Sequence, residues 1–380
     1  MMRATLVPAV LLAATALLGT EATAVAVAAP TLRELPAPSP DHSASALGVT
    51  PSGLVVGNAR QADSFDQHAV TWRGGKLLPL DPNPSQAIEF NSRDQVVGTR
   101  RVGGVSSAVL WSGGRTTDLL PPGAVSAVGL GISEVGEVLV RAVTESGPGY
   151  LFATWRAGVW RTISTDGHLG RIGPRGDVAV SSDSGTHVYR AGSGAAVAVP
   201  NPFGGGYPPE PTGINARGDV LFDLVVPEGG YRVGFWRDGV LTDIGTLGGN
   251  QAVTNLPGVG RGPYLNDAGE VTGTSETASG AYHAFRWRAG TITDLTPASP
   301  LPSTGNSINQ AGQVAGTQAV EVGGARTSGG RIWPRHGVPV EFASTGAQRS
   351  VGWLAIAPHS QWVVGADNGP NSPRRAISSR

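Results

Sequence analysis

Apolar and polar positions alternate along this chain in short runs, and the runs return in a fixed order. The clearest stretch is Ile308-Asn309-Gln310-Ala311-Gly312-Gln313-Val314-Ala315-Gly316, with full copies at 265–273 and 90–98. Looser copies stand at 49–57, 132–140, 172–180, 214–222 and 357–365. They recur at roughly forty to fifty residues, the period of an architecture in which one small unit is stacked until a core closes. An apolar run before the Asn predicts a strand. Asn-x-x-Gly predicts a tight turn, because Gly supplies positive φ and Asn tolerates it. The Val-rich run predicts a second strand, and an aromatic run ending in Trp or Tyr before a glycine turn predicts a third. That run ends at Trp72, Trp111, Trp155, Tyr189, Trp236, Trp287 and Trp333. A short run such as Thr117-Asp118-Leu119 or Thr293-Asp294-Leu295 predicts the fourth.

Four strands in such a period predict a β-propeller blade, in preference to an open solenoid or a sandwich. No long stretch of helix formers keeps a 3.6-residue period. The predicted fold is therefore an all-β propeller of eight blades, with seven as the alternative. Thr31-Leu32-Arg33-Glu34-Leu35-Pro36 resembles a fourth strand. Val351 to Gly365 and Arg375 to Ser378 supply the first three strands of the same unit. The last blade is thus expected to be shared between the termini, which would hide two sheet edges.

Residues 1–29 read as a cleaved signal peptide: a basic Met1-Met2-Arg3, an apolar run from Val7 to Leu18, and small residues around Ala24 to Ala29. An uncleaved membrane anchor is the alternative. Residues 30–380 are expected to form one domain, secreted, monomeric and without membrane insertion. No cysteine is present, so neither a disulfide nor thiol chemistry is available. The 28 basic and 28 acidic residues balance and are spread along the chain, which excludes a basic stripe for nucleic acid. The 56 glycines and 29 prolines punctuate turns.

The segment Tyr282-His283-Ala284-Phe285-Arg286-Trp287-Arg288-Ala289-Gly290-Thr291-Ile292-Thr293-Asp294-Leu295 resembles the HAF repeat of bacterial extracellular proteins. Asp243-Ile244-Gly245-Thr246-Leu247-Gly248-Gly249-Asn250 is similar to the segment that joins such repeats. The resemblance spans about residues 45–366 and is weakest at 125–200, where Gly173 replaces the turn Asn and Tyr189 the Trp. It implies an exported protein and adds no mechanism.

Motifs with a sharper look give way to the repeat. Arg175-Gly176-Asp177 and Arg217-Gly218-Asp219 occupy the register of Ala268-Gly269-Glu270, so they read as turns and not as adhesion ligands. Leu301-Pro302-Ser303-Thr304-Gly305 lacks the apolar segment of a wall-sorting signal. Asn91, Asn215, Asn266 and Asn309 read as turn formers, and His68 and His283 as a repeat feature. No metal site or cofactor is indicated. Glu89, His168 and Arg171 are the main ionisable residues near the innermost strands, and they form no recognisable acid–base group.

In an up-and-down blade the Asn-x-x-Gly and Trp-x-Gly turns share one face, here the tight face. The longer, dissimilar connections share the other, the loop face. These are 58–67, 200–212, 245–262 and 317–330, and departures from a repeat are where binding residues tend to be carried. Tyr207, Arg261 and Tyr264 are the candidate binding residues. The leading expectation is a non-catalytic binder of an unknown protein or glycan. An exported lyase or hydrolase, or a structural envelope component, are the alternatives. A carboxylate pair, or a His with an acid, within about 6 Å on the loop face would favour the enzyme. An aromatic-rimmed apolar concavity would favour binding.

Overall fold

The computed structural model describes residues 32–379 except 62, 146–148, 205–206, 255–261, 343–349, 359–362 and 370–371. The expected signal segment and Arg261 lie outside the described residues. Every regular element described is a strand, and no helix is long and apolar enough to cross a membrane. Six sheets have four antiparallel strands, and a seventh has seven strands. That larger sheet is two blades joined by one long strand, Val159–Ile172. Its first part pairs with Tyr150–Arg156 and its second with Val178–Ser182. The chain is an eight-bladed β-propeller.

Blade 1 covers residues 42–79, blade 2 85–119, blades 3 and 4 124–199, blade 5 210–243, blade 6 248–294, and blade 7 303–342. Within blades 1 to 7 the strands, here a to d, follow chain order from the channel outward. Blade 8 takes Ser350–Ile356, Val363–Gly369 and Ser372–Ser379 from one end of the chain and Arg33–Glu34 from the other. In that closure Arg33 faces Ser378 and Glu34 faces Ile377. Leu32 and Leu35 are buried on either side of the short strand, and Trp72 Nε1 of blade 1 donates to the Pro36 carbonyl at 2.7 Å.

The repeat's signatures have separate physical causes. Its ninth residue is Gly in several copies because strand a bulges toward it. A Cβ on Gly316 would meet the Thr304 carbonyl oxygen at 1.8 Å and the Trp333 ring at 3.1 Å. The tryptophans that end the c strands pack between blades, with Trp72, Trp236 and Trp333 almost fully buried. Burying side chains of this kind contributes upwards of about 2 kcal/mol each. The His of the HAF segment is explained by strand d: His283 Nδ1 lies 2.8 Å from Asp294 Oδ2.

The turn asparagines do more than form turns. Asn91 Oδ1 accepts the Arg93 and Gln95 amides, and its Nδ2 donates to Gln95 and to the Ser133 carbonyl of the next blade at 3.1 Å. Asn215 reaches the Asn266 carbonyl at 3.0 Å, and Asn266 the Asn309 carbonyl at 3.1 Å. Blade is thereby stapled to blade around the inner rim of the tight face. Both Arg-Gly-Asp motifs are absorbed in this belt. Asp219 is buried and accepts from Arg237 at 2.7 and 2.8 Å, while Asp177, also buried, accepts the Ala191 amide.

Two expected loops are not loops. Residues 317–330 belong to a long hairpin, Val314–Val322 and Ala325–Trp333, joined at Gly323-Gly324. In 245–262, Gly248–Val253 forms strand a of blade 6. The chain rejoins the blade at Tyr264, whose carbonyl accepts the Thr272 amide at 2.9 Å.

Candidate binding surfaces

Five aromatic side chains are exposed among the described residues: Phe65, Tyr150, Tyr207, Tyr231 and Tyr282. All lie on the loop face. Phe65 stands between strands b and c of blade 1, and Tyr207 between blades 4 and 5. Tyr150, Tyr231 and Tyr282 begin the c strands of blades 3, 5 and 6. The Arg141 guanidinium sits 4.5 Å from the Tyr150 ring centroid, which holds that ring against the sheet edge. A polar cleft of about 440 Å³ opens on the same face between blades 1 and 8, lined by Ser43, Asn58, Arg60, Gln67, Asn368 and Arg374.

A second cavity, of about 480 Å³, fills the tight-face half of the central channel and takes wall residues from all eight blades. Its sides are mostly apolar, with Val49, Phe90, Ile172, Ile214, Tyr264 and Ile356 among them. Glu89, Glu134, Arg171 and Asp267 supply its charged groups.

The sequence candidates separate. Tyr207 is 68% exposed on the loop face, whereas Tyr264 is 4% exposed and lines the channel cavity. Strand a resumes at Tyr264, whose side chain packs with Leu221, Phe235 and Trp287 between blades 5 and 6. Of the inner-strand ionisable residues, Glu89 and Arg171 line the cavity. His168 lies outside its lining, with Nε2 2.8 Å from Asp183 Oδ1 toward the loop face. Both members of that pair are well exposed, 46% and 92% at the side chain. The pair meets the distance condition for acid–base work without the enclosure that tunes it.

Asp223 was not legible as a candidate. It lies in strand b of blade 5 directly across from Glu210. Its Oδ1 accepts from Thr254 Oγ1 at 3.1 Å, and Thr254 Oγ1 lies 2.9 Å from Thr212 Oγ1. Part of the Asp223 residue remains accessible, yet protein atoms ring its carboxyl. That burial, with the Glu210 charge adding to it, pushes the carboxyl up to about 7 against the pull of Thr254 and Arg171. A carboxyl raised on folding binds protons more tightly in the folded chain, so its contribution to stability falls as pH rises from about 4 to 7. Asp223→Asn is therefore expected to raise the melting temperature at pH 8 and not at pH 4. Thermal unfolding at the two pH values checks this.

No family model and no curated protein matches the sequence. Solved structures do match. The β-propeller domain of the trilobed protease from Pyrococcus furiosus is similar over 89% of this chain and 93% of its own, with 10% identity and a TM-score of 0.52. Virginiamycin B lyase from Staphylococcus aureus is similar over 92% of this chain and 99% of its own, with 14% identity and a TM-score of 0.43. At 10% identity the likeness to the first is one of fold alone.

Proposed function

We propose that this is an exported, non-catalytic β-propeller of the HAF-repeat type that binds a protein or glycan on its loop face. The observation that carries the reading is the one-sided distribution of aromatics: among the described residues, all five exposed rings stand on that face. Exposed aromatics on a rigid frame lose little entropy on binding and dominate hot spots, each worth on the order of 2 kcal/mol or more at the centre of an interface. The polar cleft on the same face adds donors and acceptors suited to a glycan. Export rests on the basic start, apolar run and small residues of 1–29.

The expected result is that replacing Phe65, Tyr150, Tyr207, Tyr231 and Tyr282 together by Ala weakens any ligand found on a glycan array or in an envelope pull-down by at least about a hundredfold. A control set on the tight face, Val135, Val159 and Val240 to Ser, should leave it unchanged. Loss in the control set alone would overturn the reading. A second reading, an exported lyase or hydrolase, is favoured by Asp223, since a carboxyl poised near 7 beside Glu210 suits a general acid. It requires a turnover that Asp223→Asn abolishes and whose pH profile has a limb near 7.

A further inference from the structure

Basic and acidic residues are spread along the chain, yet on the tight face they separate in space. In the turns of blades 5 to 7 they balance, Arg217, Arg237, Arg288 and Arg335 against Asp219, Asp238, Asp267 and Glu270. In the turns of blades 1 to 4 they do not. Four acids stand there, and each is already held. Asp94 accepts from Thr50, Ser52 and Arg73, and Glu134 accepts the Ser92 amide. Glu137 lies 3.6 Å from Arg161, and Asp177 lies 3.8 Å from Arg190.

Lys76, Arg93, Arg115, Arg156 and Arg175 remain. All of them are exposed, and none has an ion-pair partner among the described residues. The Arg175 guanidinium reaches only the Ala216 carbonyl, at 3.5 Å. Arg93 and Arg175 stand in a–b turns at the inner rim, and the other three in c–d turns at the outer edge. The basic excess therefore covers an arc over half of the ring. No Asp or Glu occurs after Pro30 outside the described residues, so the excess stands. With 28 basic and 28 acidic residues in all, the rest of the molecule is correspondingly acidic.

A linear polyanion could meet only part of such an arc at once, whereas a planar array of phosphates meets all of it. Short, uniform turns make this face flat, and guanidinium groups take phosphate oxygens in pairs. Val135 and Val159, in turns of blade 3, stand exposed between the cations, where they can touch an apolar layer. We propose that the arc over blades 1 to 4 docks the propeller on the surface of a bilayer containing anionic phospholipid. The chain lies on that surface without crossing it, held by attraction of basic residues to the headgroups. The aromatic loop face then points away from the bilayer, and the docking does not depend on what that face binds.

Cosedimentation with large unilamellar vesicles tests this, using the chain from Pro30 onward so that the apolar run from Val7 to Leu18 cannot itself insert. At about 0.1 M salt the chain should bind vesicles of equal parts phosphatidylglycerol and phosphatidylcholine, and not vesicles of phosphatidylcholine alone. Raising the salt to about 0.5 M should weaken binding at least about tenfold. Replacing Lys76, Arg115 and Arg156 together by Gln should weaken it about a hundredfold with the circular dichroism spectrum unchanged. Arg156→Gln alone, expected to weaken it about fivefold, decides the matter if the triple variant does not fold. The same loss of charge on the loop face, Arg101, Arg232 and Arg326 to Gln, should leave binding nearly unchanged. The chain lacking the five loop-face aromatics should bind the vesicles as before, so failure of one surface is read separately from the other. The proposal is overturned by absence of binding to the anionic vesicles at low salt, or by equal binding to the neutral ones. Equal loss in the loop-face variants would overturn it too, as would binding of soluble polyphosphate without binding of vesicles.

Discussion

Removing residues up to Pro36 from the chain is expected to lower its stability by about 4–8 kcal/mol, far more than shortening the 62–66 connection. The strand concerned has two residues, so backbone pairing is the smaller part of this effect. Leu32 packs with Val351, Leu354 and Ile377 of blade 8, and Leu35 packs with Val70, Trp72 and Ala376 at the seam with blade 1. Truncation leaves two leucine-sized cavities, strips the Trp72 indole of its acceptor, and exposes the edge of Ser372–Ser379. The double variant Leu32→Ala, Leu35→Ala should reproduce most of the loss while keeping the backbone. Denaturant unfolding of the three chains measures it. A truncated chain as stable as the loop-shortened one would contradict the closure.

Glu270→Ala is expected to cost about 1–3 kcal/mol at pH 7, because it leaves the buried Asn266 amide without its acceptor and the half-buried Arg335 without its counter-charge. Glu270 is fully buried in the tight-face belt. Its Oε2 accepts from Asn266 at 2.8 Å and from Arg335 of blade 7 at 2.6 Å, and Arg288 stands 3.6 Å from Oε1. Burial pushes the carboxyl up. The hydrogen bonds from Asn266 and Arg335 and the charges of Arg335 and Arg288 outweigh that and hold it below the ordinary 4.5. Asp219 is depressed in the same way: Arg237 and Asn215 overcome its burial. A carboxyl lowered on folding contributes stability that is fully present above its unfolded value and lost as pH falls through the folded one. The gap in melting temperature between the natural chain and Glu270→Gln should therefore be wide at pH 7 and narrow below pH 4. A gap that does not change with pH would mean that the belt acts by shape alone.

Much of this fold was legible because each blade repeats the same local solution. Asn-x-x-Gly marked the inner turns, and the Trp before a glycine pair marked the ends of the c strands. Thr31 to Pro36 showed itself as a stray fourth strand by its likeness to Leu241-Thr242-Asp243-Ile244. The hairpin at 317–330 was also within reach, since Gly323-Gly324 between β-forming runs is a turn signal. What the sequence hid depends on neighbours distant in the chain. The strand Val159–Ile172 runs unbroken from blade 3 to blade 4 because Gly167 and Gly170 leave room for the Phe152 ring, as a Cβ on either would come within 2.5 Å of it. Tyr264 looked like a loop aromatic because nothing local says that the chain re-enters a strand there. The raised Asp223 carboxyl needs Glu210, Thr254 and Arg171, which belong to three different blades. The channel cavity is assembled from a few residues of every blade, and no local pattern announces such a wall.

Ring closure by the two ends of the chain is the claim on which the arrangement of both faces rests. The chain has no cysteine of its own, which makes a direct test simple. Arg33 and Ser378 are register partners on adjacent antiparallel strands. Cα atoms in such pairs lie about 4.5–5.5 Å apart, within the range that a disulfide spans. The variant Arg33→Cys, Ser378→Cys, oxidised under native conditions, should form an intramolecular bond nearly quantitatively. It should migrate faster than the reduced chain on a denaturing gel and resist thermal unfolding more strongly. A variant pairing Arg33→Cys with Thr116→Cys, on the outer strand of blade 2, should not crosslink. Crosslinking no more efficient at 33 and 378 than in that control would contradict a ring closed by its own termini.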